Sequence, residues 1–467
     1  MNQDSTDRIL AGMRAWIATA SPGMQVPSNR ALTAEYGASP VTVQKAMRQL
    51  IALGLVESRP GVGTFVRGIR SPRPADYGWQ SGALGAAPPT RASVLSSTQR
   101  PIAPDAIGLH SGYPSPALLP ERLVRQAITR AARSEAAIVS SPAAGNADLQ
   151  AWFANEVASA APVGVTGPSP RDALIISGSQ SGLSSTFRAL VGPGEPLLIE
   201  SPTYWGAILA AAQANVTLVP IPTGADGPDP DEVERAFART GARAFYAQPA
   251  FANPTGAVWP AETGLAVLEA ARRHGAFIIE DDWAHDLAID ADPRPLASLD
   301  DDGHVIYLRS LTKSVSPALR VAAVIARGPA RERILADRAA ESMYVSGLLQ
   351  ASALDVVTQP AWKTHLRGFR DELRTRRDVL LASLREHAPS VHVETIPLGG
   401  LNVWTQLPEG TDVIRLVQAC AADGLIIAPG TEWFPAEPSG PYVRLNYSGA
   451  DPARYPEAAQ ILERNLA

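Results

Sequence analysis

A lysine in the carboxyl-terminal half of the chain stands among groups that bind phosphate. Lys313 follows the hydroxyl-bearing residues Ser310 and Thr312, and Arg320 comes seven residues later. A lysine amine forms a Schiff base with a carbonyl compound, and hydroxyl and guanidinium groups donate hydrogen bonds to phosphate. This spacing therefore predicts that Lys313 holds a phosphorylated cofactor covalently while its three neighbours bind the phosphate.

Further residues supply the other groups that a pyridoxal 5′-phosphate (PLP) site requires, namely a carboxylate for the pyridine nitrogen and a surface against the ring. Ser179 and Gln180 open a predicted helix after a strand, where free N–H groups favour phosphate. Tyr204 follows the next strand and is placed to stack on the ring. Asp281 ends an apolar strand, and a buried carboxylate facing a pyridinium keeps the ring cationic. These four residues are predicted to bind the cofactor.

The elements that must position these residues form a repeating pattern of strand and helix. Six short apolar runs alternate with helical or loop sequence, at 173–176, 196–199, 216–220, 244–246, 277–280 and 305–308. Strands that recur between helices indicate a mostly parallel α/β sheet covered on both faces. A helix at 366–387 and strands at 401–404, 425–427 and 442–445 predict a smaller α+β domain. We assign 108–467 to this α/β unit.

The first seventy residues have a different pattern. A helix is predicted at 9–17, a short helix at 29–36, and a third from Ser39-Pro40 to about residue 53. Two short strands around a glycine-containing turn follow and predict a hairpin wing, which makes 1–70 a winged helix-turn-helix. This segment contains eight Arg/Lys and four Asp/Glu, a balance of +4, so the remainder of a chain with net charge −5 carries −9. A basic amino-terminal segment on an otherwise acidic chain indicates that only residues 1–70 contact nucleic-acid phosphate.

Eight residues of this segment are candidates for contacts with double-stranded DNA. They lie on the third helix, at its start, on the preceding helix or at the wing tip, and they are Arg30, Ser39, Thr42, Gln44, Lys45, Arg48, Gly61 and Gly63. The third helix would enter the major groove and the glycine tip would reach the backbone or minor groove.

Composition limits the remaining classes. A Pro-, Gly- and Ser-rich stretch at 71–107 predicts a linker between the two units. The single Cys420 cannot form an internal disulfide or a cysteine-rich metal site, and we predict no metal. The chain shows neither a signal-peptide pattern nor an apolar run of membrane-spanning length, so we expect a cytoplasmic protein without membrane contact.

Two sets of motifs resemble known families. Val26–Arg30, Ser39–Met47 and Arg59–Val66 are similar, in register, to the GntR-family winged helix. Asn253-Pro254-Thr255-Gly256 resembles the motif of fold type I aminotransferases whose asparagine binds the phenolic oxygen of PLP, and the strand containing Arg444 resembles the one whose arginine grips a substrate carboxylate.

The fusion resembles the MocR subfamily of bacterial transcriptional regulators. The resemblance implies a fold type I aminotransferase-like domain that binds PLP and dimerises head-to-tail, with PLP, an amino acid or an amine as the effector. It also implies a tyrosine two residues after Asp281, where this chain has Trp283, whose indole N–H cannot act as a phenol. Trp283 is expected beside the cofactor, and its presence favours sensing over turnover. An active PLP-dependent aminotransferase with an accessory DNA-binding domain remains the alternative, as does a regulator that has lost PLP.

Overall fold

The computed structural model describes residues 5–67 and 96–466. They belong to two compact units whose boundary lies at residue 89, and each unit is described by itself. No helix among these described residues is long and apolar enough to span a bilayer.

The first unit is a winged helix-turn-helix, as predicted. Its elements in chain order are α1 Ser5–Thr19, α2 Asn29–Tyr36, α3 Pro40–Ala52, β1 Val56–Arg59 and β2 Gly63–Val66, and the two strands form an antiparallel hairpin. Apolar residues recur at helical spacing along α1 and α3 and pack into one core with the strands. Ser39 caps α3 because its Oγ accepts a hydrogen bond from the Thr42 N–H at 3.1 Å.

The second unit contains eleven helices of eight or more residues within 96–466. They are α4 Glu121–Ala131, α5 Ala147–Ala158, α6 Ser179–Thr186, α7 Trp205–Gln213, α8 Pro230–Thr240, α9 Ala261–His274, α10 Gly328–Ser342, α11 Gly347–Val357, α12 Pro360–His387, α13 Val413–Ala422 and α14 Tyr455–Arg464. The strands are β3 Ile107–Gly108, β4 Ala173–Ile176, β5 Pro196–Ser201, β6 Thr217–Gly224, β7 Gly227–Pro228, β8 Ala244–Ala247, β9 Phe277–Asp282, β10 Val305–Ser310, β11 Ala322–Ile325, β12 Asn402–Gln406, β13 Leu425–Ile426, β14 Ala428–Pro429 and β15 Tyr442–Asn446.

A mixed sheet with the order β4-β11-β10-β9-β8-β5-β6-β7 forms the centre of this unit. Strands β10, β9, β8, β5 and β6 are parallel, while β11 runs antiparallel between β10 and β4. Successive residues of each strand point to opposite faces, and each face packs against its own set of helices. The predicted α/β sheet with helices on both faces is therefore confirmed.

The smaller domain surrounds a three-stranded antiparallel sheet with the order β12-β15-β14. Helices α12, α13 and α14 contribute the apolar residues that cover it. Of the predicted strand at 425–427 only Leu425–Ile426 forms a strand, β13, which pairs with β3. The strand β14 that follows was not predicted, and it pairs with β15. The predicted helix at 366–387 begins earlier, at Pro360, since proline fits the first turn of a helix.

The carboxyl end of the predicted linker requires a correction. Of the stretch 71–107, residues 96–107 are packed on the second unit, and the rest, 71–95, lies outside the described residues. The Glu432 carboxylate accepts hydrogen bonds from the Ser96 hydroxyl at 2.6 Å and the Ser97 N–H at 3.0 Å. Ile107 then pairs with β13. The small and polar residues here have the composition of a linker. Local sequence does not reveal that they are packed, because their hydrogen-bond partners lie more than three hundred residues away in sequence.

Candidate cofactor and effector site

Every residue predicted to bind the cofactor or effector lines one cavity at the carboxyl ends of the central parallel strands. The parallel strands β5, β8, β9 and β10 all end there. β4 ends there too, because β4 and β10 run in the same direction on either side of β11. A single cavity is lined by Ser179, Gln180, Tyr204, Asn253, Asp281, Trp283, Ser310, Thr312, Lys313, Arg320 and Arg444. The carboxyl ends of parallel strands are the usual location for ligands in α/β sheets.

Asp281 presents one free carboxylate oxygen to the cavity. Its Oδ2 accepts hydrogen bonds from the Tyr246 hydroxyl at 2.9 Å and from Gln248 Nε2 at 3.0 Å. Its Oδ1 is buried and has no partner among the described residues. Burial raises the pKa of Asp281 to about 6, and the two donors oppose that rise. A protonated pyridine nitrogen is the kind of donor that this oxygen lacks.

Two hydroxyls and one arginine make up the part of the cavity that is predicted to bind phosphate. Ser179 Oγ and Thr312 Oγ1 are buried and have no partner within the described part of the chain, so a phosphate would satisfy both. Gly178 has φ +87°, and a Cβ built there would lie 3.1 Å from Arg320 Nη2. The loop therefore needs glycine both for its conformation and for the approach of the guanidinium.

Gln180 contributes in a different way from the one expected. Its Nε2 donates to the Gly206 carbonyl at 2.7 Å, and its Oε1 accepts from the Tyr204 hydroxyl at 3.2 Å. Both ends of the amide are thus occupied by protein groups. We infer that the Gln180 side chain orients Tyr204, while its backbone N–H remains part of the positive helix end.

The Lys313 amine is close to the segment that follows β3. Nζ donates to the Gly112 carbonyl at 2.6 Å and lies 3.3 Å from the centroid of the Tyr113 ring. Burial, followed by the charges of Arg444 and Arg320, lowers the pKa of Lys313 well below its ordinary value, and Asp281 opposes the shift. The lowered pKa favours the neutral amine, which is the form that attacks a carbonyl.

The lowered pKa predicts how covalent attachment of PLP responds to pH. A free lysine amine is charged at neutral pH, so its rate of attack falls about tenfold for each pH unit below its pKa. Because the pKa of Lys313 is lowered, we expect a smaller fall in rate over the same pH range than for the free amine. Stopped-flow absorbance after mixing cofactor-free protein with PLP measures this rate, with Nα-acetyl-lysine as the control. A tenfold fall per unit in the protein would contradict the expectation.

Arg444 is a buried cation without an acidic partner within salt-bridge distance among the described residues. It is 1 % exposed, Nη2 donates to the carbonyls of His110 at 2.6 Å and Ser111 at 3.0 Å, and Nε has no partner. Burial lowers the pKa of Arg444 to about 9. A ligand carboxylate would relieve the cost of this uncompensated charge.

Asn253 is oriented by two donors. Its Oδ1 accepts hydrogen bonds from Trp433 Nε1 at 3.2 Å and Arg444 Nη1 at 3.4 Å. Since both neighbours can only donate, the amide oxygen must face them, and Nδ2 is left as the donor for a cofactor oxygen. The prediction that Asn253 donates to the phenolic oxygen of PLP is compatible with this orientation.

Trp283 lines the cavity through its ring. Its indole N–H donates to the Phe251 carbonyl at 3.0 Å, and the ring packs near Gly400. The polar end of the side chain is thus already satisfied by backbone, and Trp283 presents only an apolar surface to the cavity.

Several lining residues were missed by the sequence analysis. Gln248 connects two site residues and the buried Glu200: its N–H donates to Glu200 at 2.7 Å, its Nε2 donates to Asp281, and its Oε1 accepts from the Asn253 N–H at 2.9 Å. Its position directly after β8 was a usable signal, because strand ends at this edge carry the other ligands. The remaining missed residues are Thr98, Gln99, Gly112, Tyr113 and Asn402.

The eight candidates for DNA contact lie on or next to α2, α3 and the wing. Arg30, Gln44, Lys45 and Arg48 are exposed, and the two arginines and the lysine form no ion pair within the described residues. The hydroxyls of Ser39 and Thr42 lie 2.8 Å apart in the cap of α3, so they also have a structural role. Gly61 and Gly63 have φ of +72° and +142° at the wing tip.

Comparison with known proteins agrees with both units. Residues 108–462 match the model of aminotransferase class I and II, and residues 6–66 match that of the gntR family of bacterial regulatory proteins. The chain therefore belongs to the aminotransferase class I and II family and carries a GntR helix-turn-helix domain at its amino-terminal end. This combination confirms the predicted resemblance to the MocR subfamily.

Two full-length relatives and one solved structure illustrate the similarity. The probable rhizopine catabolism regulatory protein MocR of Rhizobium meliloti is 26% identical, with 94% of this chain and 88% of the relative covered. The transcriptional regulator TauR of Rhodobacter capsulatus is 28% identical, with 100% and 96% covered. The α-aminoadipate aminotransferase LysN of Thermus thermophilus, solved with N-(5′-phosphopyridoxyl)-L-leucine, superposes with a TM-score of 0.72 at 28% identity, covering 79% of this chain and 95% of LysN.

Family and site together indicate PLP as the cofactor. Asp281 Oδ1, Ser179 Oγ and Thr312 Oγ1 have no partner among the described residues and belong to residues of one cavity, and they are the acceptor and donors that a pyridinium and a phosphate require. When bound, PLP supplies an electron sink. Lys313 would supply the amine, Asp281 the carboxylate, and Ser179, Thr312 and Arg320 the phosphate donors.

Proposed function

We propose that this protein is a transcriptional regulator whose DNA binding responds to a small molecule in the PLP-binding cavity. Lys313 holds PLP as a Schiff base, and Arg444 binds the carboxylate of an amino-acid effector. A second protomer, arranged head-to-tail, supplies a second recognition helix. As a regulator of transcription it acts in the cytoplasm, on double-stranded DNA.

The observation that carries this proposal is the combination, in one chain, of unpaired cations on α3 with a complete set of cofactor residues. Lys45 and Arg48 are exposed and free of acidic partners within the described residues, which suits contact with phosphate or base edges. A ligand changes DNA binding only if it binds one arrangement of the dimer better than another. An effector in the cavity is therefore proposed to act by selecting one arrangement.

DNA binding is expected to depend on these two cations. We expect Lys45→Ala and Arg48→Ala each to lower the affinity for a specific duplex about tenfold, and a lost phosphate contact to reduce the salt slope by about 1. Fluorescence anisotropy with a duplex selected by the wild-type protein from a randomised pool measures both quantities. Arg14→Ala, an exposed arginine on α1, is the matched control. Wild-type affinity in both α3 variants would refute the assignment.

An amino-transferring enzyme is the second candidate, since Lys313, Asp281, Asn253 and Arg444 line one cavity and LysN is an aminotransferase. Trp283 disfavours efficient turnover, because it stands where the resemblance implies a tyrosine hydroxyl and its own N–H is bonded to backbone. Multiple-turnover transfer from an amino acid to a 2-oxo acid, lost in Lys313→Ala, would favour the enzyme. A single turnover at most, with an effect on DNA binding, would favour the regulator.

A further inference from the structure

Every charged group that lines the cavity already has an assigned partner in the proposed complex. Asp281 faces the pyridine nitrogen, Arg320 the phosphate and Arg444 the effector carboxylate, while Lys313 attaches the cofactor. These four are the charged residues that line the cavity within the described part of the chain. A second charge on the effector would therefore meet no counter-ion from these residues.

The remaining wall is uncharged and able to form hydrogen bonds. Its aromatic part consists of Tyr113, Trp205 and Trp283, and its polar part of Thr98, Gln99 and Asn402. Gln99 and Asn402 carry primary amides, which both donate and accept. Thr98 and Gln99 come from the segment that Glu432 anchors through Ser96 and Ser97.

Asn402 is the most informative of these residues. Its Oδ1 is buried and has no partner among the described residues, although the residue is only 5 % exposed. In the sheet Trp404 lies opposite Arg444, and Asn402 lies two residues along the same strand. Residues at such diagonal positions share a face and lie about 7–8 Å apart. An effector whose carboxylate contacts Arg444 would thus have its side chain within reach of the Asn402 amide.

On these grounds we propose that the effector is an α-amino acid with one carboxylate and an uncharged side chain that forms hydrogen bonds. The amide of Asn402 binds this side chain, assisted by Gln99, and the aromatic residues enclose it. This inference rests on the proposed function, because it concerns the effector of the same cavity. It separates the effector from dicarboxylic and dibasic amino acids and from amines that have no carboxylate.

The selectivity has a simple physical basis. A second carboxylate buried against neutral walls loses its hydration without gaining a cation. A neutral amide or hydroxyl side chain loses less on transfer and finds both donors and acceptors in the Asn402 and Gln99 amides. A site with unpaired polar groups also disfavours ligands that leave those groups unsatisfied.

L-Glutamine and L-glutamate provide an isosteric test. Both are titrated into the PLP-loaded, full-length protein, and the change in the visible absorbance of the bound cofactor gives the dissociation constants. We expect glutamine to bind at least about tenfold more tightly than glutamate. Putrescine, which has no carboxylate, should bind weakly. Effector-dependent change in DNA anisotropy provides an independent readout and should follow the same order.

The role of Asn402 is tested with Asn402→Leu and a ligand that does not need the amide. We expect this variant to bind glutamine about tenfold more weakly than wild type, while L-norvaline binds at least as tightly as to wild type because no amide is left unsatisfied. Equal weakening of both ligands would show a structural role for Asn402 and would overturn its assignment. Tight binding of glutamate to the wild type would overturn the effector class, because it would mean that a second carboxylate finds a counter-ion in the cavity. That cation would come from beyond the described residues, such as from a second protomer.

Failure of the proposed function would give a different result. In that case no amino acid would change the DNA anisotropy, whether or not it changed the absorbance of PLP bound to Lys313. Both the proposed function and the inference would then be rejected. If amino acids act but glutamate matches glutamine, only the inference is rejected.

Discussion

Lys313→Ala is expected to abolish the visible absorbance of the purified protein completely. The chain contains three lysines, Lys45, Lys313 and Lys363, and only Lys313 lies in the cavity with the predicted phosphate donors. An absorbance spectrum after incubation with PLP and removal of excess measures the effect. The variant retains the non-covalent ligands of the cofactor, so any PLP that it still binds should be held weakly and lost when the excess is removed.

Lys363→Ala is the matched control. Lys363 is exposed on α12, and its replacement should leave the spectrum unchanged. Borohydride reduction of the wild type followed by peptide mapping should locate the cofactor on the peptide that contains Lys313. Retention of the visible band in Lys313→Ala would show that covalent attachment occurs elsewhere and would refute the cofactor assignment.

Arg309→Leu is expected to destabilise the second unit by about 3–5 kcal/mol. Arg309 is 1 % exposed and donates to Asp286 at 3.0 Å and to Glu156 at 3.2 Å, with its guanidinium 4.9 Å from the Trp152 ring centroid. Removing the guanidinium leaves the buried Asp286 carboxylate without its positively charged hydrogen-bond donor. The midpoint of urea unfolding, followed by tryptophan fluorescence, measures the change.

The pH dependence of this loss follows from Asp286. Burial alone would raise its pKa, but Arg309, His285 and the Ser314 hydroxyl outweigh burial and hold the pKa of Asp286 below its ordinary value. A depressed folded pKa means that the stabilisation is present above the unfolded pKa and is lost as pH falls through the folded pKa. The difference between variant and wild type should therefore shrink in acid, where Asp286 can take up a proton.

An exposed pair provides the control for Arg309. Arg125 bonds to Glu121 at 2.7 Å on α4, and both side chains are largely exposed. Arg125→Leu should change the unfolding free energy by less than about 1 kcal/mol. If Arg309→Leu were equally mild, the buried cluster would not stabilise the unit. Since the Ser314 hydroxyl donates to Asp286 at 2.6 Å, Arg309→Leu should also weaken PLP binding by displacing the residue next to Lys313.

The sequence indicated which residues share one cavity because most of them stand at strand ends. Lys313, Asp281 and Ser179 each follow or end an apolar strand of the sheet, and parallel strands bring such residues to one edge. Asn253 and Arg444 were predicted by resemblance to family motifs. All of them line one cavity, while their individual roles remain predictions.

Contacts between distant segments could not be predicted in the same way. Thr98 and Gln99 line the cavity only because Glu432 anchors the preceding serines, and no local pattern indicates that contact. Asn402, by contrast, is the one polar residue of the predicted strand at 401–404, whose other residues are Leu401, Val403 and Trp404. That signal was available, since a buried amide requires hydrogen-bond partners.

Two strands of the central sheet, the two-residue β7 and the longer β11, were also missed. β11 consists of Ala322, Ala323, Val324 and Ile325, and alanine has a low preference for strands. Its position depends on hydrogen bonds with β10 and β4 on both sides. Tertiary pairing therefore overrides the weak local preference at this place.

The buried atoms without partners in the cavity link the lifetime of the protein to its small molecules. Asp281 Oδ1, Ser179 Oγ, Thr312 Oγ1 and Arg444 Nε have no partner among the described residues, and each such group costs stability until a ligand satisfies it. Ligands that bind only the folded state stabilise it in proportion to their concentration. A cell short of vitamin B6 would thus present more unfolded chain to its proteases, and the abundance of the regulator would fall together with the supply of its cofactor.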